Sequence, residues 1–300
     1  MRILVIALIL STPVHAVGGV VTEPPKTAAK TPPPWDLLWT IDPPDGEPAR
    51  PRPKPDRALE GLGSSLYHSR CAACHGDQGD GQGPLAADLL PRPTDFVRGL
   101  YKLRSTPTGS LPTDKDLFRT LTRGIHGTAM RPWRRLNERE RWALVDKLKA
   151  FSPRFVHEPV AAPIAIPSAP RETNELRVRG ENLYVQHRCG VCHGDGGEGN
   201  GPAAFALRGR RDIEIRNFTR GRFIRGAMME DIYQTLRIGI DGTPMRAYAT
   251  LKDDEVWALA AYVRVLVHEH PLGDLPPAGI ATDEHDPGAA SPPPTAPPIR

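Results

Sequence analysis

Two copies of one pentapeptide contain all four cysteines of this chain: Cys-Ala-Ala-Cys-His at residues 71–75 and Cys-Gly-Val-Cys-His at residues 189–193. Two thiols three positions apart can each form a thioether with one vinyl group of the same porphyrin. The histidine that follows then lies under the iron as its proximal ligand. Because no cysteine is left over, the pattern predicts two covalent haem attachment sites rather than the disulfides expected of an exported protein.

Two other kinds of site also use paired cysteines, a four-thiolate zinc site and a redox-active dithiol. Zinc ribbons usually keep their Cys-x-x-Cys halves about 15–20 residues apart, whereas residues 75–188 separate the halves here. A thioredoxin-like dithiol needs no following histidine, and no βαβ pattern surrounds either pair. The sequence thus favours haem binding by four cysteines and two histidines: Cys71, Cys74, Cys189 and Cys192, with His75 and His193 as iron ligands.

The first sixteen residues have the features of a secretory signal peptide. A basic start precedes an apolar run at residues 3–10 and a small-residue cleavage site at Val-His-Ala, residues 14–16. The run is much shorter than the roughly 20 residues that a membrane-spanning helix needs. We therefore expect a periplasmic protein without a transmembrane segment in the mature chain, although association with a membrane complex stays open.

Proline-rich segments divide the remaining chain and predict two compact domains, in line with the prior of about 150 residues per domain. These segments bury too little apolar surface to offset the entropy of ordering, so we expect extended arms and linkers. The predicted segments are a signal peptide (1–16), an N-terminal arm (17–57), domain 1 (58–151), a linker (152–174), domain 2 (175–270) and a C-terminal tail (271–300).

The two compact regions repeat each other well beyond the cysteine motif. Each motif is followed by a glycine-rich loop that ends in Gly-Pro, at residues 83–84 and 201–202. Further pairs are Asp-Phe-Val-Arg-Gly (95–99) with Asn-Phe-Thr-Arg-Gly (217–221), Gly-Ile-His-Gly-Thr-Ala-Met (124–130) with Gly-Ile-Asp-Gly-Thr-Pro-Met (239–245), and Trp142 with Trp257. An internal repeat of this length indicates one domain present twice.

Each half resembles a class I c-type cytochrome, and the whole chain is similar to exported di-haem cytochromes c. The resemblance rests on the haem motif, the glycine-rich loop and the Gly-Thr-x-Met segment, and it covers about residues 58–151 and 175–270. It implies a small all-α domain in each half, with helices around the haem and a methionine as the sixth ligand of the iron.

Hydrophobic spacing independently predicts an all-α fold of two tandem cytochrome c-like domains joined by the proline-rich linker. Asn137, with Glu140 three residues later, forms a pattern like a capping box. Neither half has a convincing alternating strand pattern. The predicted helices span residues 59–69, 114–123, 138–151, 175–186 and 252–267.

Met130 and Met245 are the predicted sixth ligands, because only these two of the five methionines occupy equivalent positions in the repeat. The alternative is that they are soft packing residues of a core. His126 is a rival ligand near Met130, but its counterpart is Asp241, so we expect it beside the site or exposed. We expect the Gly-Pro turns to accept the hydrogen bond of each proximal histidine.

A six-coordinate His/Met haem has no open position for a substrate, so the sequence predicts an electron-transfer protein rather than an enzyme. The expected donors are a quinol-oxidising complex or a dehydrogenase, and the expected acceptors are an oxidase or another reductase. The net charge of +4 is spread along the chain and gives no sign of nucleic-acid binding.

Two alternatives stay open, a di-haem peroxidase-like enzyme and a cytochrome subunit held in a larger respiratory complex. The apolar island Trp35–Trp39 in the N-terminal arm favours the second alternative. It is equally compatible with docking to a partner and with packing on domain 1.

Overall fold

The computed structural model describes residues 47–207, 209–210, 213–221 and 223–269. These residues form helices and loops without any β-strand, which confirms the predicted all-α class. The predicted signal peptide, the Trp35–Trp39 island and the C-terminal tail lie outside the described residues.

Domain 1 consists of two long and two shorter helices around an apolar core. Thr113 and Asn137 cap two of them with full capping boxes, the second of which includes Glu140 as predicted. Asp56 caps the first helix through a bond from the Leu59 amide. The helices are α1 (Arg57–Arg70), α2 (Ala72–His75), α3 (Asp114–Arg123) and α4 (Glu138–Ala150), and the short α5 (Arg154–His157) opens the linker.

Domain 2 repeats this arrangement with one additional short helix. Its core contains Trp257, Tyr233 and Leu259, which are nearly inaccessible to solvent. The helices are α6 (Asn174–Gln186), α7 (Gly190–His193), α8 (Pro202–Leu207), α9 (Met229–Ile238) and α10 (Asp253–Glu269).

The first and last helices of each domain cross in direct backbone contact, α1 on α4 and α6 on α10. A glycine lies at each crossing. A Cβ atom on Gly63 would lie 2.3 Å from the carbonyl oxygen of Ala143, and one on Gly180 would lie 2.0 Å from that of Ala258. Any larger residue would force the helices apart, so these glycines fix the frame that surrounds each site.

The two repeated tryptophans are packing residues. Trp142 is 3% exposed, and its ring lies 4.5 Å from that of Phe118 on α3. Trp257 makes the same contact with Tyr233 on α9 at 4.3 Å. The ring partners therefore lie on α3 and α9, which are equivalent helices of the two domains.

The proline-rich segments next to domain 1 are extended but make specific contacts. Arg52 of the N-terminal arm forms ion pairs with Asp114 and Asp146. In the linker, the amide of Ile164 donates to the carbonyl of Ser105 at 2.8 Å. Such contacts restrain segments that composition alone predicted to be loose.

Candidate haem-binding sites

One cavity of about 890 Å³ has both Cys-x-x-Cys-His motifs in its wall. It lies between the two domains and receives side chains from both of them. The structure thus brings all eight predicted site residues to a single cavity: Cys71, Cys74, His75 and Met130 from domain 1, and Cys189, Cys192, His193 and Met245 from domain 2.

A single helical turn presents each cysteine pair. In domain 1 the amide of His75 donates to the carbonyl of Cys71 at 2.8 Å, and in domain 2 that of His193 donates to Cys189 at 3.0 Å. Residues three positions apart share one side of a helical turn. Both thiols therefore lie on the same side of the turn, as attachment to one porphyrin requires.

A buried tyrosine ties each motif to the helix before it. The hydroxyl of Tyr67 donates to the carbonyl of Gly76 at 2.7 Å, and that of Tyr184 donates to Gly194 at 2.7 Å. Domain 2 has one more residue between its tyrosine and its first cysteine than domain 1 has. The chain accommodates the extra residue because Arg188, directly before Cys189, adopts a left-handed backbone conformation with a φ of 56°.

The proximal histidines donate their hydrogen bonds to a segment that the sequence alone did not assign. The Nδ1–H of His75 donates to the carbonyl of Thr94 at 3.1 Å, and that of His193 donates to the carbonyl of Arg216 at 3.2 Å. The prediction that the Gly-Pro turns accept these bonds is wrong. These bonds leave Nε2 as the ring nitrogen available to an iron.

The Gly-Pro turns instead cover the backbone of the cysteine motifs. The amide of Gly83 donates to the carbonyl of Cys74 at 3.2 Å, and a Cβ on Gly83 would lie 2.4 Å from the carbonyl oxygen of Ala73. In domain 2, a Cβ on Gly201 would lie 2.4 Å from the carbonyl oxygen of Val191, and the Gly201 amide donates to the carbonyl of Cys192 at 3.3 Å. The lack of a side chain is therefore the property that these positions require.

A phenylalanine two residues after each acceptor carbonyl stacks on the proximal imidazole. The ring of Phe96 lies 4.6 Å from that of His75, and the ring of Phe218 lies 4.4 Å from that of His193. In each domain the glycine-rich loop holds this segment in place. The amide of Phe96 donates to the carbonyl of Gly79 at 2.7 Å, and that of Phe218 donates to the carbonyl of Gly197 at 2.7 Å. The repeated Asp-Phe and Asn-Phe pairs were the sequence signal for this role.

The two methionines lie at the ends of identical closed turns. In domain 1, the amide of Ile125 donates to the carbonyl of Met130 at 2.8 Å, and the Thr128 hydroxyl both donates to Ile125 and accepts from the Met130 amide. The threonine of Gly-Thr-x-Met therefore stabilises, through these hydrogen bonds, the turn that places the methionine in the cavity wall. Ile240, Thr243 and Met245 repeat these bonds in domain 2.

Comparison with known proteins matches a separate cytochrome c family model to each half of the chain. Residues 178–266 match the family model of cytochrome c, and residues 60–146 match that of cytochrome c oxidase, cbb3-type, subunit III. A chain of the reducing HAO-like protein complex of Kuenenia stuttgartiensis is 36% identical, with a TM-score of 0.66 over 72% of this chain and 98% of that chain.

The chain belongs to the di-haem c-type cytochromes.

Membership of this family means that the protein binds two covalent haem c groups and takes part in electron transfer. It confirms the sequence predictions of tandem cytochrome c domains and of the cofactor. None of the described helices has the length and apolarity needed to cross a membrane.

The charge of the cavity wall fits this cofactor, because each haem carries two propionates. Arg225 gives the clearest indication: its Nε and Nη2 atoms are buried and make no hydrogen bond within the described part of the chain. Buried guanidinium groups normally have a partner. Among the described residues that line the cavity, Glu214 is the single acidic one, and the basic residues are far more numerous. The basic residues are Arg70, Arg92, Lys102, Arg131, Arg188, Arg216, Arg225 and Arg246.

Burial also sets the protonation of the metal-binding side chains. It lowers the pKa of His75 and of His193, which keeps both imidazoles neutral and able to bind iron. Burial raises the pKa of the Cys71 thiol to about 12, whereas a redox-active dithiol needs a lowered pKa. The described residues contain no cluster of three or more Cys, His, Asp or Glu side chains that could hold a metal ion.

His126 lies apart from the haem cavity. It lines a small crevice between the domains, together with Arg225 and Asp231. Burial, reinforced by Arg123 and Arg216, lowers the pKa of His126 to about 4. The sequence predicts that His126 lies beside the site or is exposed rather than bound to the iron. In the structure it is half-buried and does not line the haem cavity.

Proposed function

We propose that this di-haem cytochrome is a periplasmic carrier of single electrons. Its haems are attached through Cys71 and Cys74 in domain 1 and through Cys189 and Cys192 in domain 2. The proposed iron ligands are His75 with Met130, and His193 with Met245. The observation that supports this most strongly is that both histidines and both methionines line one cavity.

His/Met ligation suits electron transfer rather than catalysis. A methionine ligand raises the reduction potential of the iron and occupies the position that a substrate would need. The braced Gly-Thr-x-Met turns in both domains support two closed sites. The proposed donors are a quinol-oxidising complex or a dehydrogenase, and the proposed acceptors are an oxidase or another reductase.

Carbon monoxide binding to the reduced protein tests the sixth ligands. Met130→Ala and Met245→Ala should each open one iron, lower its potential and create one carbon monoxide site per chain. Met228→Ala is the matched control, because Met228 is 57% exposed and should leave both haems closed. If neither of the first two substitutions changes the spectrum, methionine ligation is wrong.

Haem content tests the attachment sites. A pyridine haemochrome assay with mass spectrometry should find two covalent haems per chain, and Cys71→Ala or Cys189→Ala should each destabilise one attachment. The same mass measurement tests export, because cleavage after Ala16 should give a mature chain that begins at Val17. A mature protein that retains its first sixteen residues would contradict the proposed signal peptide.

A second candidate is a cytochrome subunit within a larger redox complex. The relative from Kuenenia stuttgartiensis favours it, because that chain is part of a complex and is matched over 98% of its length. Association of the native protein with a larger redox protein during purification would support this role. A monomeric native protein that exchanges electrons with small soluble donors and acceptors would favour the free carrier.

The third candidate, a di-haem peroxidase-like enzyme, requires one haem to lose its sixth ligand. Peroxide added to the half-reduced protein distinguishes it. A closed carrier should show no rapid oxidation and no peroxide-dependent Soret shift, whereas an enzyme should show both.

A further inference from the structure

A buried ion pair joins the two domains beside the turn that carries Met245. Arg104 of domain 1 is fully inaccessible to solvent, and the side chain of Asp241 in domain 2 is 8% exposed. Nε of Arg104 donates to Oδ2 of Asp241 at 2.8 Å, and Nη2 donates to Oδ1 at 2.6 Å. This two-bond geometry fixes the direction as well as the distance between the groups.

Neighbouring residues extend the contact into a clamp on domain 2. The carbonyl of Ile238, the last residue of α9, accepts from Nη2 of Arg104 at 3.2 Å and from the Thr108 hydroxyl at 2.8 Å. The amide of Gly109 donates to Oδ2 of Asp241 at 3.2 Å. One loop of domain 1 therefore holds both the end of α9 and the start of the turn that follows it.

Asp241 lies inside the closed turn that ends at Met245. The amide of Ile240, its neighbour, donates to the carbonyl of Met245 at 2.9 Å. The Thr243 hydroxyl donates to Ile240 at 2.8 Å and accepts from the Met245 amide at 3.2 Å. Because these bonds link the two ends of the turn, a displacement of Asp241 displaces the backbone of Met245.

Domain 1 has the same turn with a different residue at this position, which makes it an internal control. His126 occupies the place of Asp241, so no carboxylate is available there to form such a clamp. The turn that carries Met130 instead packs against domain 2 at Gly127, where a Cβ would lie 2.4 Å from Nη1 of Arg216. Loss of the ion pair should therefore act on the second haem and spare the first.

We propose that Arg104 and Asp241 are positioning residues that hold Met245 in place for the second haem from across the domain boundary. The proposal rests on the His/Met ligation proposed above. Removing one partner of a buried pair leaves an uncompensated charge that is shielded from water. The loop then rearranges to hydrate that charge, and Met245 is held less firmly.

The test uses the full-length protein with both haems attached and three substitutions. Asp241→Asn keeps the shape and removes the charge, while Arg104→Met removes the cation. Thr108→Val is a milder change that removes one bond to Ile238. Arg52→Met is the matched control, because it breaks ion pairs that join the N-terminal arm to Asp114 and Asp146 of domain 1 and that touch neither methionine turn.

The near-infrared sulfur-to-iron band of the oxidised protein reports methionine ligation directly. Asp241→Asn and Arg104→Met should lose half of its intensity, lower one of the two reduction potentials and bind imidazole at one haem about tenfold more tightly. Thr108→Val should tighten imidazole binding at the same haem by a smaller factor. Arg52→Met should retain the full band and both potentials, even if it unfolds at a lower temperature.

Several results would overturn the positioning role. A folded Asp241→Asn protein with the full band and unchanged potentials would do so, as would a lower unfolding temperature with no change at either iron. If Asp241→Asn and Arg104→Met do not fold, unchanged imidazole binding by Thr108→Val would also overturn the positioning role. If Met245 is not a ligand of the iron, Met245→Ala would also leave the near-infrared band intact. This measurement distinguishes an error in the proposed ligation from an error in the positioning role.

Discussion

Replacement of Gly63 by alanine tests the backbone contact between α1 and α4. An added Cβ would lie 2.3 Å from the carbonyl oxygen of Ala143 and 2.9 Å from its carbonyl carbon. Both atoms belong to the backbone of a helix, so they cannot move aside as the tip of a flexible side chain can. The helices must separate, and the core between them loses contacts.

Gly61 gives the reference for this change, because it lies on the same helix with nothing within 4 Å of its Cβ position. Gly61→Ala should stabilise the protein by about 0.5–1 kcal/mol, since alanine loses less conformational entropy in a helix. Gly63→Ala gains the same term but adds overpacking, which typically costs about 1–3 kcal/mol. The difference in unfolding free energy between the two variants therefore measures the cost of the steric contact with Ala143.

The assay is thermal unfolding of the protein with both haems attached, followed by far-ultraviolet circular dichroism, which reports the loss of helical structure. For a chain of this size each kcal/mol shifts the melting temperature by roughly 2–4 °C. Gly63→Ala should therefore melt roughly 2–12 °C below Gly61→Ala. Equal melting temperatures would show that the helices do not meet as closely as the structure has them, and would refute the reasoning.

Three further predictions concern other parts of the frame. Tyr67→Phe removes the buried bond to Gly76 and should lower the unfolding free energy by about 0.5–1.5 kcal/mol in urea titrations, with the haem spectra unchanged. Arg188→Gly should raise the melting temperature, because the left-handed backbone costs a side-chain-bearing residue about 1 kcal/mol; Arg188→Ala should give no such gain. His126 has a folded pKa of about 4, below its unfolded value, so the unfolded state binds more protons and stability falls as the pH drops from about 6.5 towards 4. His126→Gln should flatten that part of the stability curve, and an unchanged slope would contradict the burial of the imidazole.

The long helices were predictable because their signals are local. The bounds of α3, Asp114–Arg123, were predicted without error, and α4 begins at Glu138 as its capping box indicated. The one-turn helices α2 and α7 were not predicted, because four residues are too few to show a hydrophobic period. Their positions follow from the cysteine motifs that they contain.

The environment of the proximal histidines was less predictable, because it depends on contacts between distant segments. The Gly-Pro turns follow the motif closely in sequence and were the natural candidates for the acceptor carbonyls. The acceptors are instead Thr94 and Arg216, which the chain brings back to the site after a longer excursion. The repeated Phe96 and Phe218 marked the right segments, but only the folded chain shows that their rings stack on the imidazoles.

Differences between the two repeats indicate where the domains meet. A residue that serves the haem of its own domain is needed twice, so it recurs at equivalent positions, as the methionines and histidines do. Asp241 replaces His126 in the equivalent turn, and its carboxylate pairs with the other domain. Arg225 stands where the spacing from the stacked phenylalanine puts Leu103 in domain 1, and both residues line the crevice between the domains. At these two positions, a change of residue type between the repeats therefore coincides with a place at the boundary between the domains.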